Sequence, residues 1–134
     1  KKIIPLTTQF SLRIKININR LRKISIEAIE QNNSISLPQI SENQTLKDTL
    51  KNWDKDRLIL FCDEKGGNTI LNSKSHLNKY RKIAIFIGPV GGWSTLDKRL
   101  FGDKRVCKIS LGENILKADT AAIYALSCVR ALMK

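Results

Sequence analysis

Ile83-Ala84-Ile85-Phe86-Ile87-Gly88-Pro89-Val90-Gly91-Gly92-Trp93-Ser94 is the stretch whose reading decides the architecture of this chain. Ile83 to Ile87 is an unbroken apolar run of strand length. It lacks the alternation of a sheet with one wet face, so it reads as a strand covered on both sides. The run stops at Gly88-Pro89. Glycines at 88, 91 and 92 let a ligand approach the backbone, and Pro89 stiffens the turn. Ser94 followed three residues later by Asp97 has the form of a capping box, with Asp in the usual Glu place, so a helix is expected from Thr95. The loop has neither the Gly-Lys-Ser/Thr ending of a phosphate-binding P-loop nor the G-x-G-x-x-G of a dinucleotide site.

Working outward, Leu58 to Cys62 is a second apolar strand of the same kind, closed by a loop over Asp63 to Gly67. Val106 to Leu111 predicts a third strand, more alternating at its start. Arg20 to Gln31 is helical, with Leu21, Ile24 and Ala28 sharing one face, and Asn32, Asn33 and Ser34 break it. Ile3 to Leu6 reads as the end of a strand, Pro38 to Ile40 as a short extended piece, and Thr45 to Trp53 as a short helix. Ala118 to Leu132 is the strongest helix. Its stripe of Ala118, Ala122, Ala125, Val129 and Leu132 permits close packing against a sheet or a partner helix. Asn68 to Asn78, the most polar stretch, is expected to be a surface loop. Strands alternating with helices imply an α/β domain built on a mostly parallel sheet flanked by helices. Such sheets bind ligands at the carboxyl ends of their strands, where the breaks after Ile87 and Leu111 fall. In the second break, Gly112 ends the strand. Ile115 and Leu116 then either wall an adenine pocket or seal the core, and the residues by themselves leave both readings open.

The 134 residues suit one domain, and a hydrophobic share of 42% argues against disorder. No apolar run approaches the roughly 20 residues a membrane helix needs, and no partner membrane is expected. The opening Lys1-Lys2-Ile3-Ile4-Pro5 has no initiator methionine and no signal-peptide pattern, which suggests a fragment. Twenty-four Lys and Arg face twelve Asp and Glu, a formal net charge of +12, and a surplus that large attracts polyanions, nucleic acid first. Cys62, Cys107 and Cys128 are far apart, and His76 is the single histidine, so no zinc site is expected. Buried reduced thiols and a cytoplasmic location are the simpler reading.

The loops carry a specific pattern when taken together. Ile87 to Ser94 matches I-G-P-E-G-G-[FL]-S with Val90 in the Glu place, and Leu111 to Ala121 matches L-G-x-R-[IV]-L-R-x-E-T-A. Upstream, Glu30-Gln31 followed by Pro38-Gln39-Ile40 matches a helix ending in E-Q and then P-x-I. In these motifs the chain resembles the ribosomal RNA small-subunit methyltransferase E family of the SPOUT superfamily, over nearly its whole length.

The resemblance implies a SPOUT-type α/β domain over residues 1–134 whose C-terminal part, roughly from Ile83, threads into a deep trefoil knot, an exception to ordinary connection rules. It implies S-adenosylmethionine as cofactor, transfer to N3 of a specific uridine in 16S ribosomal RNA, and a homodimer to which the final helix contributes. A PUA-like RNA-binding domain normally precedes this one. Carried over, the cofactor site comprises Leu60, Cys62, Ile87, Gly88, Pro89, Gly92, Ile109, Leu111, Gly112, Ile115, Leu116 and Thr120. Lys117 is the candidate catalytic cation and Asp119 its positioning partner. Arg20, Arg22, Lys23, Lys98 and Arg99, with Lys104 and Arg105, are candidate contacts to 16S ribosomal RNA or the small subunit. No metal is required.

Departures from the pattern fall on polar positions. The two Arg of the second loop are Asn114 and Lys117, its Glu is Asp119, and an early E-R pair aligns with Gln9-Phe10. Lys in place of Arg loses bidentate geometry but keeps a charge. The rival expectations are a catalytically weakened, knotted, dimeric RNA-binding protein, an unrelated open-sheet nucleotide enzyme, and a ligand-free basic domain.

Overall fold

The computed structural model describes residues 1–32, 35–102 and 104–133. In chain order these form β1 (Lys2–Ile3), β2 (Leu6–Thr7), α1 (Ile18–Gln31), β3 (Gln39–Ile40), β4 (Gln44–Thr45), α2 (Leu46–Lys51), β5 (Arg57–Cys62) and β6 (Asn68–Thr69). A 3₁₀ turn (Leu71–Ser73) leads into α3 (Lys74–Leu77), followed by β7 (Lys82–Phe86), α4 (Thr95–Leu100), β8 (Val106–Ser110) and α5 (Ala118–Leu132). Asn33 and Ser34, read above as part of the helix break, lie outside the described residues.

The main sheet has the order β6-β8-β5-β7, and every pairing in it is parallel. β5 is central, and its side chains explain its position. Ile59 and Phe61 enter one core with Leu46, Leu50, Phe86, Trp93 and Phe101. Leu58, Leu60 and Cys62 enter a second core with Ile70, Leu77, Ile109 and Ala125. Successive residues of a strand point to opposite faces, so an unbroken apolar run fits only where both faces are covered. Helices α2 and α4 cover the first face, and α3 and α5 the second. β8, the later strand, enters between β5 and β6 instead of adding to an edge. Before the sheet, two short parallel ladders, β1 with β3 and β2 with β4, tie the first residues to the segment after α1.

Local rules set the helix starts. Asn17 caps α1 by accepting from the Arg20 amide at 3.0 Å, so the helix begins before the expected Arg20. Thr45 caps α2 by accepting from the Asp48 amide at 3.0 Å. This helix ends earlier than the expected Trp53, because the Trp53 indole instead donates to the Arg57 carbonyl at 3.2 Å. The extended reading of Ile3 to Leu6 resolves into β1 and β2, separated by Ile4 and Pro5.

Asn68 to Asn78 corrects the expectation of a surface loop. It carries β6, the 3₁₀ turn and α3, because Ile70 and Leu77 are buried in the second core, 1% and 0% exposed. Its many polar residues concealed two widely spaced apolar anchors. The cysteines are all free, but only Cys62 is buried. Cys107 and Cys128 are half-buried, the former on β8 and the latter on the sheet-facing side of α5.

Candidate active site

The loops leaving the carboxyl ends of β5, β7 and β8 meet around one cavity of about 200 Å³. Its first wall is the Gly88–Trp93 turn. Trp93 is buried and donates its indole N–H to the Cys62 carbonyl at 2.9 Å, which ties this turn to the end of β5. A Cβ on Gly88 would lie 2.8 Å from Trp93 Nε1, so glycine is required there. Gly92, at φ +72°, closes the turn with its amide on the Pro89 carbonyl at 2.8 Å. The capping box beyond it is present. Ser94 Oγ accepts from the Asp97 amide at 2.9 Å, and Asp97 accepts from the Ser94 amide at 3.2 Å. The opposite wall is the loop from Ser110 to Ala118, which turns at Gly112 with φ +126°.

Of the residues expected at a cofactor site, Cys62, Ile87, Gly88, Pro89, Gly92, Leu111, Gly112, Ile115 and Leu116 line this cavity, and so does Lys117. Ile115 is 75% exposed and lines the cavity, so it does not seal the core. Leu60 and Ile109 are placed differently from expectation. Both are 0% exposed inside the second core and stand behind the wall, because the strand alternation that puts Cys62 and Leu111 at the rim puts them deeper along the same face. Asp119 and Thr120 also fall outside the lining. The first turn of α5 carries both to the exposed surface, where Asp119 Oδ1 accepts from the Thr120 amide at 2.7 Å. Arg20, Arg22, Lys23 and Arg99 are exposed. Lys98 differs: its ammonium is held by Asp63 at 2.6 Å and so is committed within the protein.

A family model, the RNA methyltransferase domain, matches residues 1–130. The chain belongs to the RNA methyltransferase domain family. The domain is 41% identical over 134 residues to the ribosomal RNA small subunit methyltransferase E of Rickettsia conorii, covering 98% of this chain and 54% of the relative. It is 30% identical over 135 residues to the protein of that name from Synechocystis, covering 97% of this chain and 44% of the relative. It thus spans about half the length of the curated relatives it matches. A methyltransferase structure from Legionella pneumophila, in complex with bound S-adenosylmethionine, superposes with a TM-score of 0.81 at 27% identity, over 97% of this chain and 55% of that one. The ribosomal RNA small subunit methyltransferase E from Neisseria gonorrhoeae, at 20% identity and a TM-score of 0.85 over 98% of this chain and 54% of that one, shares the fold.

The RNA methyltransferase domain also places Asp63, Glu64, Trp93 and Glu113 in the cavity lining, which motif reading missed. The signal for the first two was their position directly after β5, at the edge where parallel sheets bind ligands. Asp63 is 7% exposed and takes Lys98 from α4 at 2.6 Å and Lys108 from β8 at 3.1 Å. Burial works to raise its pKa, but the Lys98 hydrogen bond, the Lys65 amide and Lys108 together outweigh it and hold the carboxyl below its ordinary 3.8. Stabilisation from this group is complete above that ordinary value and is lost as pH falls through the lower folded one. Urea unfolding of the native domain and of Asp63→Asn is therefore expected to differ by on the order of 1 kcal/mol at pH 7, both lysines being partly hydrated. That gap should close on acidification below about pH 4; a gap independent of pH would exclude the ion pair as its source.

Proposed function

We propose that this protein transfers a methyl group from S-adenosylmethionine to small-subunit ribosomal RNA, at N3 of one uridine in 16S RNA. The observation that carries this reading is the convergence of the β5, β7 and β8 loops on one cavity that joins apolar side chains to glycine backbone. That combination suits the cofactor. Ile87, Leu111, Ile115 and Leu116 offer an apolar slot for a flat ring, and Gly88, Gly92 and Gly112 bring the backbone close. Glu64 and Glu113 favour a cation in the cavity. When bound, S-adenosylmethionine supplies an electrophilic methyl on a sulfonium.

The chain's residues do the rest. Lys117 is the one cationic side chain among the described lining residues, and it stabilises the negative charge that develops as uridine N3–H gives its proton to water. Asp119 and Thr120 act at one remove, by forming the start of α5 and so holding Lys117. Burial pushes the Cys62 thiol up to about 12, so it stays protonated at neutral pH and serves as wall, not nucleophile. Leu60 and Ile109 back the wall. Arg20, Arg22, Lys23 and Arg99 receive RNA phosphates. The insertion of β8 between two earlier strands supports a C-terminus threaded as a trefoil knot. The outer face of α5, with Ile123 68% and Leu126 61% exposed, supports a homodimer. Residues 1–134 are the methyltransferase part of a cytoplasmic protein that carries a PUA-like domain elsewhere.

Tritium transfer from labelled S-adenosylmethionine to small ribosomal subunits tests the reading in the complete protein. Lys117→Ala is expected to lower kcat about 100-fold while leaving cofactor affinity unchanged. Cofactor binding without any transfer by the native protein would favour instead a weakened RNA-binding protein, the reading that Val90 and Asn114 motivate.

A further inference from the structure

We infer that Phe10 is the stacking platform for an unpaired RNA base at the rim of the cavity. Phe10 is 49% exposed, whereas the other described aromatic residues, Tyr124 apart, are buried or half-buried. Leaving a phenyl ring in water costs free energy unless something covers it, and its place in the fold says what does. Phe10 lies against the glycine turn, since a Cβ on Gly91 would come within 3.0 Å of Phe10 Cβ. Val90 and Gly92, on either side of Gly91, both line the cavity.

The segment carrying the ring is fastened. The Thr8 amide donates to Ser11 Oγ at 3.0 Å, and the Ser11 amide to the Thr8 carbonyl at 3.3 Å. The Gln9 amide donates to both oxygens of buried Asp97 at 3.4 Å, anchoring the turn to the start of α4. An aromatic held this way loses little entropy on contact.

The occupant follows from chemistry. N3–H of a uracil lies on its pairing edge, so a base methylated there must be unpaired and taken out of its stack. A base so exposed is held by stacking on an aromatic face. Trp93, the one aromatic among the described lining residues, is 9% exposed and wedged against Phe61, so it offers no free face. Phe10, next to the same turn and on a chain with a net charge of +12, offers one. The inference rests on the proposed methyl transfer for the identity of the base, but not for the contact.

Ultraviolet cross-linking of the complete protein to a single-stranded, uridine-rich RNA oligonucleotide carrying one 5-iodouridine tests this contact. The cross-linked peptide is expected to contain Phe10. Phe10→Trp keeps oligonucleotide affinity, and Phe10→Leu, which keeps apolar volume without a π-face, loses about 10-fold. A cross-link mapping elsewhere, or Leu and Trp variants that bind equally well, would overturn the inference. Titration with S-adenosylmethionine alone is expected to be the same for all variants. If the native protein fails to bind the cofactor, the methyl-transfer reading falls while the cross-link still decides the role of Phe10.

Discussion

Gly92→Arg is expected to abolish S-adenosylmethionine binding, read by isothermal titration as a loss of at least about 100-fold, or some 3 kcal/mol. Two effects combine. Gly92 sits at φ +72°, where a side chain adds roughly 1–2 kcal/mol of backbone strain. The direction its Cβ would take is the second. No heavy atom outside the turn lies nearer than the Glu64 carboxylate at 3.6 Å, so the guanidinium extends into the cavity and pairs with the residue best placed to receive a cation. With about 200 Å³ available, an arginine there excludes the cofactor. Because the new side chain enters open space, the fold should persist, and circular dichroism should match the native domain. Undiminished titration heat would place the cofactor away from this cavity.

The largest loss of stability is expected from Gly88→Val. A Cβ on Gly88 would meet Trp93 Nε1 at 2.8 Å and Cε2 at 3.1 Å. The indole has nowhere to retreat, with Phe61 4.9 Å and Phe101 5.9 Å from it between ring centroids. Moving it also breaks its bond to the Cys62 carbonyl. Overpacking adds about 1–3 kcal/mol and an orphaned buried polar group about 1–3 kcal/mol, so the unfolding free energy should fall by roughly 2–6 kcal/mol. Urea denaturation checks this, and a fall of less than about 1 kcal/mol would mean that the Trp93 contact does not hold the turn.

Much of the site was legible because it is written in glycines and short apolar runs. Gly92 and Gly112 mark backbone that turns at positive φ, Gly88 marks a close approach, and Leu58–Cys62 and Ile83–Ile87 mark strands covered on both faces. Each signal is complete within a few residues. Lys98 shows the limit. As a member of a basic surplus it read as an RNA contact, and nothing nearby in the chain betrays its carboxylate, which lies 35 residues earlier. Asn68 to Leu77 shows the same limit in composition, since a polar average hides two fully buried anchors.

The sequence by itself determined the strand-and-helix alternation, the two-sided burial of β5, the capped start of α4 and the glycine turns after β7 and β8, because each is written in a few neighbouring residues. Only the tertiary structure decided that Trp93 latches the glycine turn to β5, that Asp63 carries two lysines from different elements, and that Leu60 and Ile109 stand behind the cavity wall while Phe10 stands at its rim. Burial and charge pairing depend on distance in space, and residues far apart in the chain acquire those distances only when the sheet assembles.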